Sequence, residues 1–257
     1  MYNFQRRKLL FSYAVIPLFI TTTSISSDYP ALDFQGSQLA VRKDLTTWIG
    51  SFWQRRPRHR LGARSGVCPI APGLLETYVV WHERPLFIWH GEGTQISVRD
   101  RETQTVLWTQ ALKGSDRQMS YNGKEPLQPG KLYQWQLLGT KTSSSDRNNW
   151  TTFQIMPATE REKIATDLQT LEQKLGASKA SKEEIALKKA DYFLNYNIKQ
   201  EVAQNNEAPN AWSDALQTLF EIENPSSSFI KERQGYVVGL CTEQTTVSTA
   251  KTLTSNS

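Results

Sequence analysis

The sequence has few of the residues that usually carry catalysis or bind metals. Only three His and two Cys occur among its 257 residues, and they do not follow the spacing of zinc ligands. A glycine-rich phosphate loop and a nucleophile elbow are also missing from the sequence. These absences favour a protein that is not an enzyme, and they predict neither a cofactor nor a metal.

Long hydrophobic runs are scarce. The basic residues Arg6, Arg7 and Lys8 precede an apolar run at residues 9–20, and a Thr/Ser-rich stretch follows. The run has about 12 residues, fewer than the ~20 that a membrane-spanning helix needs. Residues 1–27 are therefore predicted to be a signal peptide cleaved near Ser26 or Ser27. Retention as a membrane anchor is the alternative.

The export route stays open between a twin-arginine signal, which the paired arginines resemble, and an ordinary secretory signal. No later stretch is apolar enough to span a bilayer. We therefore expect no integral membrane span after signal removal, and a location in the periplasm or outside the cell.

The excess of positive charge is confined to two segments of the chain. The net charge is +5, and residues 1–27 together with residues 42–64 hold more than this excess, so the remainder is acidic. A basic folded surface is therefore not indicated, and nucleic acid is not an expected partner. The hydrophobic fraction of 38% is low and predicts unburied segments beside the cores.

The second basic segment contains a strip of five arginines, here called the basic strip: Arg55, Arg56, Arg58, Arg60 and Arg64. Charge repulsion and the nearby Gly and Pro residues argue against regular structure, so residues 28–73 are predicted to be a tether. One interpretation is an anion-binding strip for lipid headgroups, acidic polysaccharide or an acidic protein. The other is a solvated linker. The expected partner is an unknown envelope protein or an acidic surface.

The strip runs into Gly66-Val67-Cys68-Pro69, and a Trp-rich β-segment and a helical tail follow. This arrangement, over roughly residues 55–241, resembles a mainly cyanobacterial family of exported proteins known as domain of unknown function nine-two-eight. The resemblance implies an exported protein of unassigned activity and supplies no catalytic residues.

Residues 74–156 alternate between apolar and polar side chains in short runs separated by turn residues. Seven strands are predicted, at residues 77–81, 86–89, 95–100, 105–112, 118–121, 131–138 and 150–155. The predicted fold is a β-sandwich of about seven strands followed by an α-helical extension of about four helices, so all-β plus all-α.

The stretch from Leu127 to Trp135 resembles the turn and strand of immunoglobulin-like and fibronectin type III-like domains. The resemblance implies a tyrosine corner at Tyr133, whose hydroxyl would bond to nearby backbone. Period-two spacing places Trp89, Trp108 and Trp135 in the core. Trp81 and Trp150 lie near strand ends, and they are the predicted exposed pair that could stack on a sugar.

The helical extension is predicted at residues 157–241. Capping-box patterns begin at Thr159 and at Ser181, each with Glu three residues later. A third helix carries apolar residues at i, i+3, i+4, i+7 and i+8 from Trp212. Residues 242–257 are Thr/Ser-rich and are predicted to be a disordered tail.

The two cysteines, Cys68 and Cys241, bracket the predicted folded region. An oxidising compartment favours one disulfide between them, and two free thiols are the alternative. The thiol of Cys68 could instead act with His82 or His90, or the two histidines could hold a metal with Glu83 or Glu92.

The favoured hypothesis is an exported, non-enzymatic binding or scaffolding protein of the cell envelope. The alternatives are a carbohydrate-binding module using exposed Trp, and a Cys- or metal-dependent hydrolase.

Overall fold

In the described part of the chain, helical residues 50–52 precede eight strands, and four longer helices follow the strands. The computed structural model describes residues 50–57, 66–140, 149–198 and 209–242. The strands are β1 (Val67–Ala71), β2 (Val79–Val80), β3 (Leu86–Gly91), β4 (Gly93–Asp100), β5 (Val106–Ala111), β6 (Gln118–Ser120), β7 (Leu132–Gly139) and β8 (Thr151–Ile155). The helices are α1 (Ala158–Ala177), α2 (Lys182–Asn195), α3 (Trp212–Phe220) and α4 (Ser227–Thr242). The predicted signal peptide and residues 243–257 of the predicted tail lie outside the described residues.

The strands form two sheets. One has the order β1-β3-β6 and is antiparallel, and the other has the order β2-β8-β7-β4-β5. All neighbours in the five-stranded sheet are antiparallel except β2 and β8, which run parallel. The prediction of a β-part followed by helices is confirmed at this level.

Side chains from both sheets meet in one buried cluster, here called the inter-sheet cluster. Its members are Val67, Val80, Phe87, Trp89, Ile96, Val98, Trp108, Tyr121, Leu127, Tyr133, Trp135, Phe153 and Ile155. They alternate with polar residues along β4 and β7, as a sheet with one buried face requires. The aromatic rings supply much of the buried area in this part of the molecule.

A second cluster, the helical core, covers the opposite face of the three-stranded sheet. Leu86 and Ile88 of β3 pack there, whereas Phe87 and Trp89 of the same strand belong to the inter-sheet cluster. Strand β3 is therefore buried on both faces, between the other sheet and the helices. This explains why it reads as an unbroken apolar run rather than an alternating one.

Helix α3 lies deepest in the helical core. Every residue from Trp212 to Leu219 is buried, and the apolar residues predicted from the spacing, together with half-buried Phe220, pack on the core. The segment before the strands also joins it, because Phe52 and Trp53 are buried beside Phe229 and Tyr236. Among the described helices, none combines the length and the apolar composition that crossing a bilayer requires.

One segment boundary and one helix cap differ from the prediction. Strand β1 lies inside the segment assigned to the tether; Pro69 and the preceding Arg/Gly sequence conceal its extended pattern, while Val67, Cys68 and Ile70 are buried. The predicted capping box at Thr159 is wrong, because α1 begins after Pro157 without a side-chain cap. The one predicted at Ser181 is present, with reciprocal bonds between Ser181 and Glu184.

Candidate functional site

Cys68 and Cys241 form a disulfide that joins β1 to α4. Both side chains are buried in the helical core, and their Cα atoms are 6.2 Å apart. Because neither sulfur is a free thiol, the pairing of Cys68 with a histidine as a nucleophile has no support.

His82 and His90 contact different parts of the protein. His90 lies opposite Cys68 in the β1–β3 ladder, whereas His82 contacts α3. In residues 50–57, 66–140, 149–198 and 209–242, no three His, Cys, Asp or Glu side chains are arranged to hold a metal ion. Glu83 and Glu92 therefore do not complete a site with them there.

The first two arginines of the basic strip contact other residues of the same chain. Arg55 forms an ion pair with Asp191 of α2 at 2.9 Å. Arg56 donates to the Trp53 carbonyl at 2.7 Å, and its guanidinium lies 4.9 Å from the centre of the Tyr236 ring. Arg58, Arg60 and Arg64 lie outside the described residues.

The aromatic residues assigned to the core are buried in the inter-sheet cluster. Trp89 and Trp135 are almost fully buried, and Trp108 is 9% exposed. The indole N–H of Trp135 donates to the Pro72 carbonyl at 2.9 Å. The hydroxyl of Tyr133 accepts from the Gln128 N–H at 2.9 Å, the type of backbone bond that a tyrosine corner makes.

Residues 81–85, between β2 and β3, and Leu86 at the start of β3 meet α1 and α3 in a polar contact region, here called the junction. Asp214 of α3 is 1% exposed. Its Oδ1 accepts from the Trp81 N–H at 2.9 Å and lies 2.8 Å from Nδ1 of His82. Its Oδ2 is buried, with no hydrogen-bond partner in the part of the chain that the structure describes.

The imidazole of His82 is oriented by this carboxylate. Its side chain is 14% exposed, and Nε2 lies 3.9 Å from an oxygen of Glu221, which is at the surface. A buried carboxylate, an imidazole and an outer carboxylate therefore follow one another across this part of the junction. The other hydrogen bonds that this carboxylate accepts come from the main-chain N–H groups of Trp81 and His82. This indicates that Asp214 holds these two residues against α3.

Gln217 completes the junction on α3. Its Oε1 accepts from the Leu86 N–H at 2.9 Å, and its Nε2 donates to the Arg84 carbonyl at 3.2 Å. The side-chain amide therefore occupies the backbone hydrogen bonds at the start of β3 as a neighbouring strand would.

Trp81 makes its contacts within the junction. Its indole N–H donates to the Arg161 carbonyl at 3.1 Å, and Nε of Arg161 donates to the Trp81 carbonyl at 2.7 Å. Its ring lies 5.8 Å from that of Phe193. Trp81 is partly buried and packs against the helical core.

A groove of about 330 Å³ runs beside the junction, between α2 and the end of α3. Ile185, Ala186 and Ile222 line it, with Lys182, Lys189, Glu221 and Glu223 around them. Both lysines are paired, Lys182 with Glu223 at 2.9 Å and Lys189 with Glu172 at 2.6 Å. The bond from Lys182 lowers the pKa of Glu223. The groove therefore presents no unbalanced charge to a ligand through these lysines.

The outer side of the five-stranded sheet carries hydrogen-bonding side chains, here called the polar face. Its members are Gln95, Ser97, Arg99, Thr109, Gln134 and Thr152. Ser97 lies 3.0 Å from the Thr109 hydroxyl, Arg99 donates to Gln134 at 2.9 Å, and Gln134 donates to Thr152 at 3.2 Å. These bonds join side chains on four neighbouring strands.

Trp150 stands at the end of the polar face. The Arg99 guanidinium lies 3.9 Å from its ring centre, a cation–π contact. The residue is partly exposed. Of the two tryptophans predicted to be exposed, Trp150 alone stays beside polar side chains at the surface of a sheet.

The chain was compared with family models, curated proteins and solved structures, and no match was found in any of the three comparisons. The resemblance to the family of domain of unknown function nine-two-eight therefore stays a prediction.

Proposed function

We propose that this is an exported, non-enzymatic binding or scaffolding protein of the cell envelope that binds its partner through the polar face. The observation that carries the proposal is the difference between the two sheets. The helices pack on the three-stranded sheet, whereas the outer side of the five-stranded sheet bears an ordered set of amide, hydroxyl and guanidinium groups with Trp150 beside them.

The polar face is suited to binding because its side chains are already held in place. Arg99 contacts both Gln134 and Trp150, and Gln134 also bonds to Thr152. Ordering these side chains on binding therefore costs less entropy than ordering free ones. Each amide keeps further donor or acceptor capacity for a ligand.

The scaffold we propose is an immunoglobulin-like sandwich. Strands β1, β3 and β6 correspond to the A, B and E strands of that fold, and β4, β5, β7 and β8 to C, C′, F and G. Tyr133 near the start of β7 then stands where the tyrosine corner stands in that fold. Such folds present binding surfaces on many unrelated proteins, so the fold alone does not identify the partner.

Export is supported by the disulfide. Cys68 and Cys241 are paired across 173 residues, and such bonds persist in oxidising compartments such as the periplasm. The predicted signal peptide supplies the route.

The test compares the wild-type protein with an Arg99→Ala/Trp150→Ala variant. Each is immobilised and incubated with an extract of envelope proteins and, separately, with envelope polysaccharide freed of protein. The proposal expects the variant to retain less than a tenth of the captured partner. The control is Tyr78→Ala, an aromatic that is 40% exposed and is not a member of the polar face. Equal capture by wild type and the double variant would remove the polar face as the binding surface.

The second candidate function is a carbohydrate-binding module, and Trp150 is the observation that favours it. An aromatic ring beside amide and hydroxyl groups is a combination that binds sugars by stacking and hydrogen bonding. Capture from the polysaccharide arm alone would identify this function, whereas capture from the protein arm alone would identify a scaffold.

An acidic surface stays a proposed partner of the basic strip. Substitutions can distinguish the contribution of Arg55 from that of Arg58, Arg60 and Arg64. Replacing Arg58, Arg60 and Arg64 by Ser is expected to reduce envelope association at low salt and to flatten its salt dependence. Arg55→Ser removes the ion pair with Asp191 and serves as the comparison, because its expected effect is on stability. Unchanged association of the triple variant at low salt would exclude the strip.

A further inference from the structure

Arg99 of β4 is the only charged member of the polar face. Its Nε donates to Oε1 of Gln134 at 2.9 Å, and the carbon of its guanidinium lies 3.9 Å from the centre of the Trp150 ring. The ion pairs found in the part of the chain that the structure describes all involve other cations. The charge of Arg99 therefore has no carboxylate partner among the described residues.

The acidic residue next to Arg99 in the sequence does not neutralise this charge. Successive side chains of a strand point to opposite sides of the sheet, so Asp100 is not on the polar face. Its Oδ1 accepts from the N–H groups of Glu102 and Thr103 at 2.8 and 2.9 Å. The bond from the Thr103 N–H lowers the pKa of Asp100. The carboxylate of Asp100 is therefore held by the turn that follows β4.

The contacts of Arg99 hold its guanidinium in place and leave one side of it available. Gln134 accepts from Nε and itself donates to Thr152 at 3.2 Å, and the guanidinium lies against the Trp150 ring. None of the described residues accepts a hydrogen bond from Nη1 or Nη2. Carboxylates bind arginine in the plane of the guanidinium, through two parallel N–H···O bonds. These two nitrogens of the partly exposed Arg99 offer that geometry.

We propose that the ligand of the polar face is an acidic polysaccharide, and that Nη1 and Nη2 of Arg99 bind a carboxylate on one of its sugar rings. This inference rests on the proposed function and adds the chemical class of the ligand. Hydroxyl and amide groups lie on both sides of Arg99, with Ser97 and Thr109 towards β5 and Gln134 and Thr152 towards β8. Their remaining donors and acceptors suit the hydroxyl groups of sugars.

The composition of the polar face favours a polysaccharide over a protein. Protein partners usually anchor on aromatic or apolar side chains that become buried at the centre of the interface. Val106, which lies opposite Arg99 in the ladder of β4 and β5, is exposed but stands beside polar side chains. The exposed members Gln95 and Thr109 are polar. One unpaired cation among amides and hydroxyls is complementary to a hydroxylated chain that carries carboxylates.

The first test is calorimetric titration of the purified protein with short oligomers of galacturonate and of mannuronate. Each oligomer is compared with its methyl ester, which keeps the sugar and loses the negative charge. The ester should bind at least about tenfold more weakly, because it cannot form the charge-assisted pair with Arg99. Equal binding of acid and ester, or no binding of either acid, would overturn the proposal.

The second test separates the charge of Arg99 from a structural role. Arg99→Gln should weaken binding of the acid by at least about tenfold and leave binding of the ester nearly unchanged. Arg99→Lys keeps the charge without the planar pair of nitrogens, so an intermediate loss is expected. Arg117→Gln removes the same charge from an exposed position before β6, in the other sheet, and is the matched control. Equal losses in Arg99→Gln and Arg117→Gln would show an effect of net charge only and overturn the site.

Failure of this inference can be distinguished from failure of the proposed function. If no acidic oligomer binds, while wild type captures an envelope protein that the Arg99→Ala/Trp150→Ala variant does not, the polar face binds a protein and the carboxylated ligand is wrong. If wild type and the double variant capture equally, the proposed function itself is wrong. Circular dichroism melting of each variant checks that the fold is retained, and equal weakening of acid and ester by Arg99→Gln would assign Arg99 a structural role alone.

Discussion

Aromatic rings pack edge to face and face to face in the inter-sheet cluster. Phe87 lies 5.1 Å from Trp135 and 5.8 Å from Trp108, measured between ring centres. In the junction, buried backbone N–H groups donate hydrogen bonds to side chains, with Asp214 and Gln217 of α3 as the acceptors. Burial of apolar area tolerates small shifts in position, whereas a buried hydrogen bond depends on distance and on direction.

The two regions should therefore respond differently to substitution. Shortening a side chain in the inter-sheet cluster removes contact area in proportion to its size. Removing an acceptor in the junction leaves buried donors without partners, so the cost depends on chemistry more than on size. The predictions below compare the regions in order of expected effect.

The largest effect is expected from the disulfide, which ties α4 to the strand layer. Replacing Cys68 and Cys241 by Ser should lower the free energy of unfolding by about 5 kcal/mol, because the bond closes a very long loop. Urea unfolding measures the loss. Hydrogen exchange should show the loss of protection first in α4, while β4 and β7 keep theirs.

The bond itself is checked by intact mass and thiol labelling without reductant. Two labelled thiols on the exported protein would contradict the pairing. A uniform loss of protection across β4, β7 and α4 would show that the helical core and the inter-sheet cluster unfold together, and the comparison would fail.

Trp135→Ala should lower the free energy of unfolding by about 4 kcal/mol, since it removes a fully buried ring. Trp135→Phe keeps much of the ring contact and loses the bond to the Pro72 carbonyl, so about 2 kcal/mol is expected. Urea unfolding of Trp150→Ala supplies the surface control, with a loss below about 1 kcal/mol. Equal losses for Trp135→Ala and Trp150→Ala would contradict the core assignment.

Asp214→Ala should cost about 3 kcal/mol, although it removes a much smaller side chain than Trp135→Ala does. The Trp81 N–H and the His82 ring would lose their buried acceptor. Asp214→Asn keeps an oxygen in place and should cost about 1 kcal/mol. The two variants are compared by urea unfolding, and identical losses would show that the hydrogen bonds of the junction do not matter.

Much of the strand pattern could be predicted from sequence because it depends on neighbours along the chain. The seven predicted strands all overlap observed ones, and Tyr133 makes a backbone bond across five residues. Strand β1 was missed because it contains Pro69 and directly follows an Arg/Gly-rich sequence. No alternating pattern reveals a strand of that kind.

The junction could not be predicted, because its partners lie far apart in the chain. His82 and Asp214 are separated by 132 residues. One signal existed in α3 and the residue after it, where Asp214, Gln217 and Glu221 recur at i, i+3 and i+7 beside the apolar stripe. Such a polar stripe on a largely buried helix indicates specific partners, although it does not identify them.

The smallest effect concerns Tyr192, which joins α2 to α1. Its hydroxyl donates to Asp167 at 2.7 Å, and burial, together with that carboxylate, raises the pKa of Tyr192. A raised pKa in the folded state means that folding favours the neutral phenol. Its contribution is complete below the unfolded pKa of about 10 and is lost as the pH rises above that value.

Tyr192→Phe should therefore lower the free energy of unfolding by about 1 kcal/mol at neutral pH, by loss of one hydrogen bond. Above pH 10 the difference from wild type should shrink, because the phenol of the wild type then favours unfolding. Burial also raises the pKa of Tyr133 and Tyr121 in the inter-sheet cluster, so the wild type should lose stability in both regions there. Urea unfolding at several pH values measures this, with Tyr78→Phe as the exposed control. A difference between Tyr192→Phe and wild type that does not change with pH would show that the phenol does not titrate with folding, and the alkaline loss would then belong to the inter-sheet cluster.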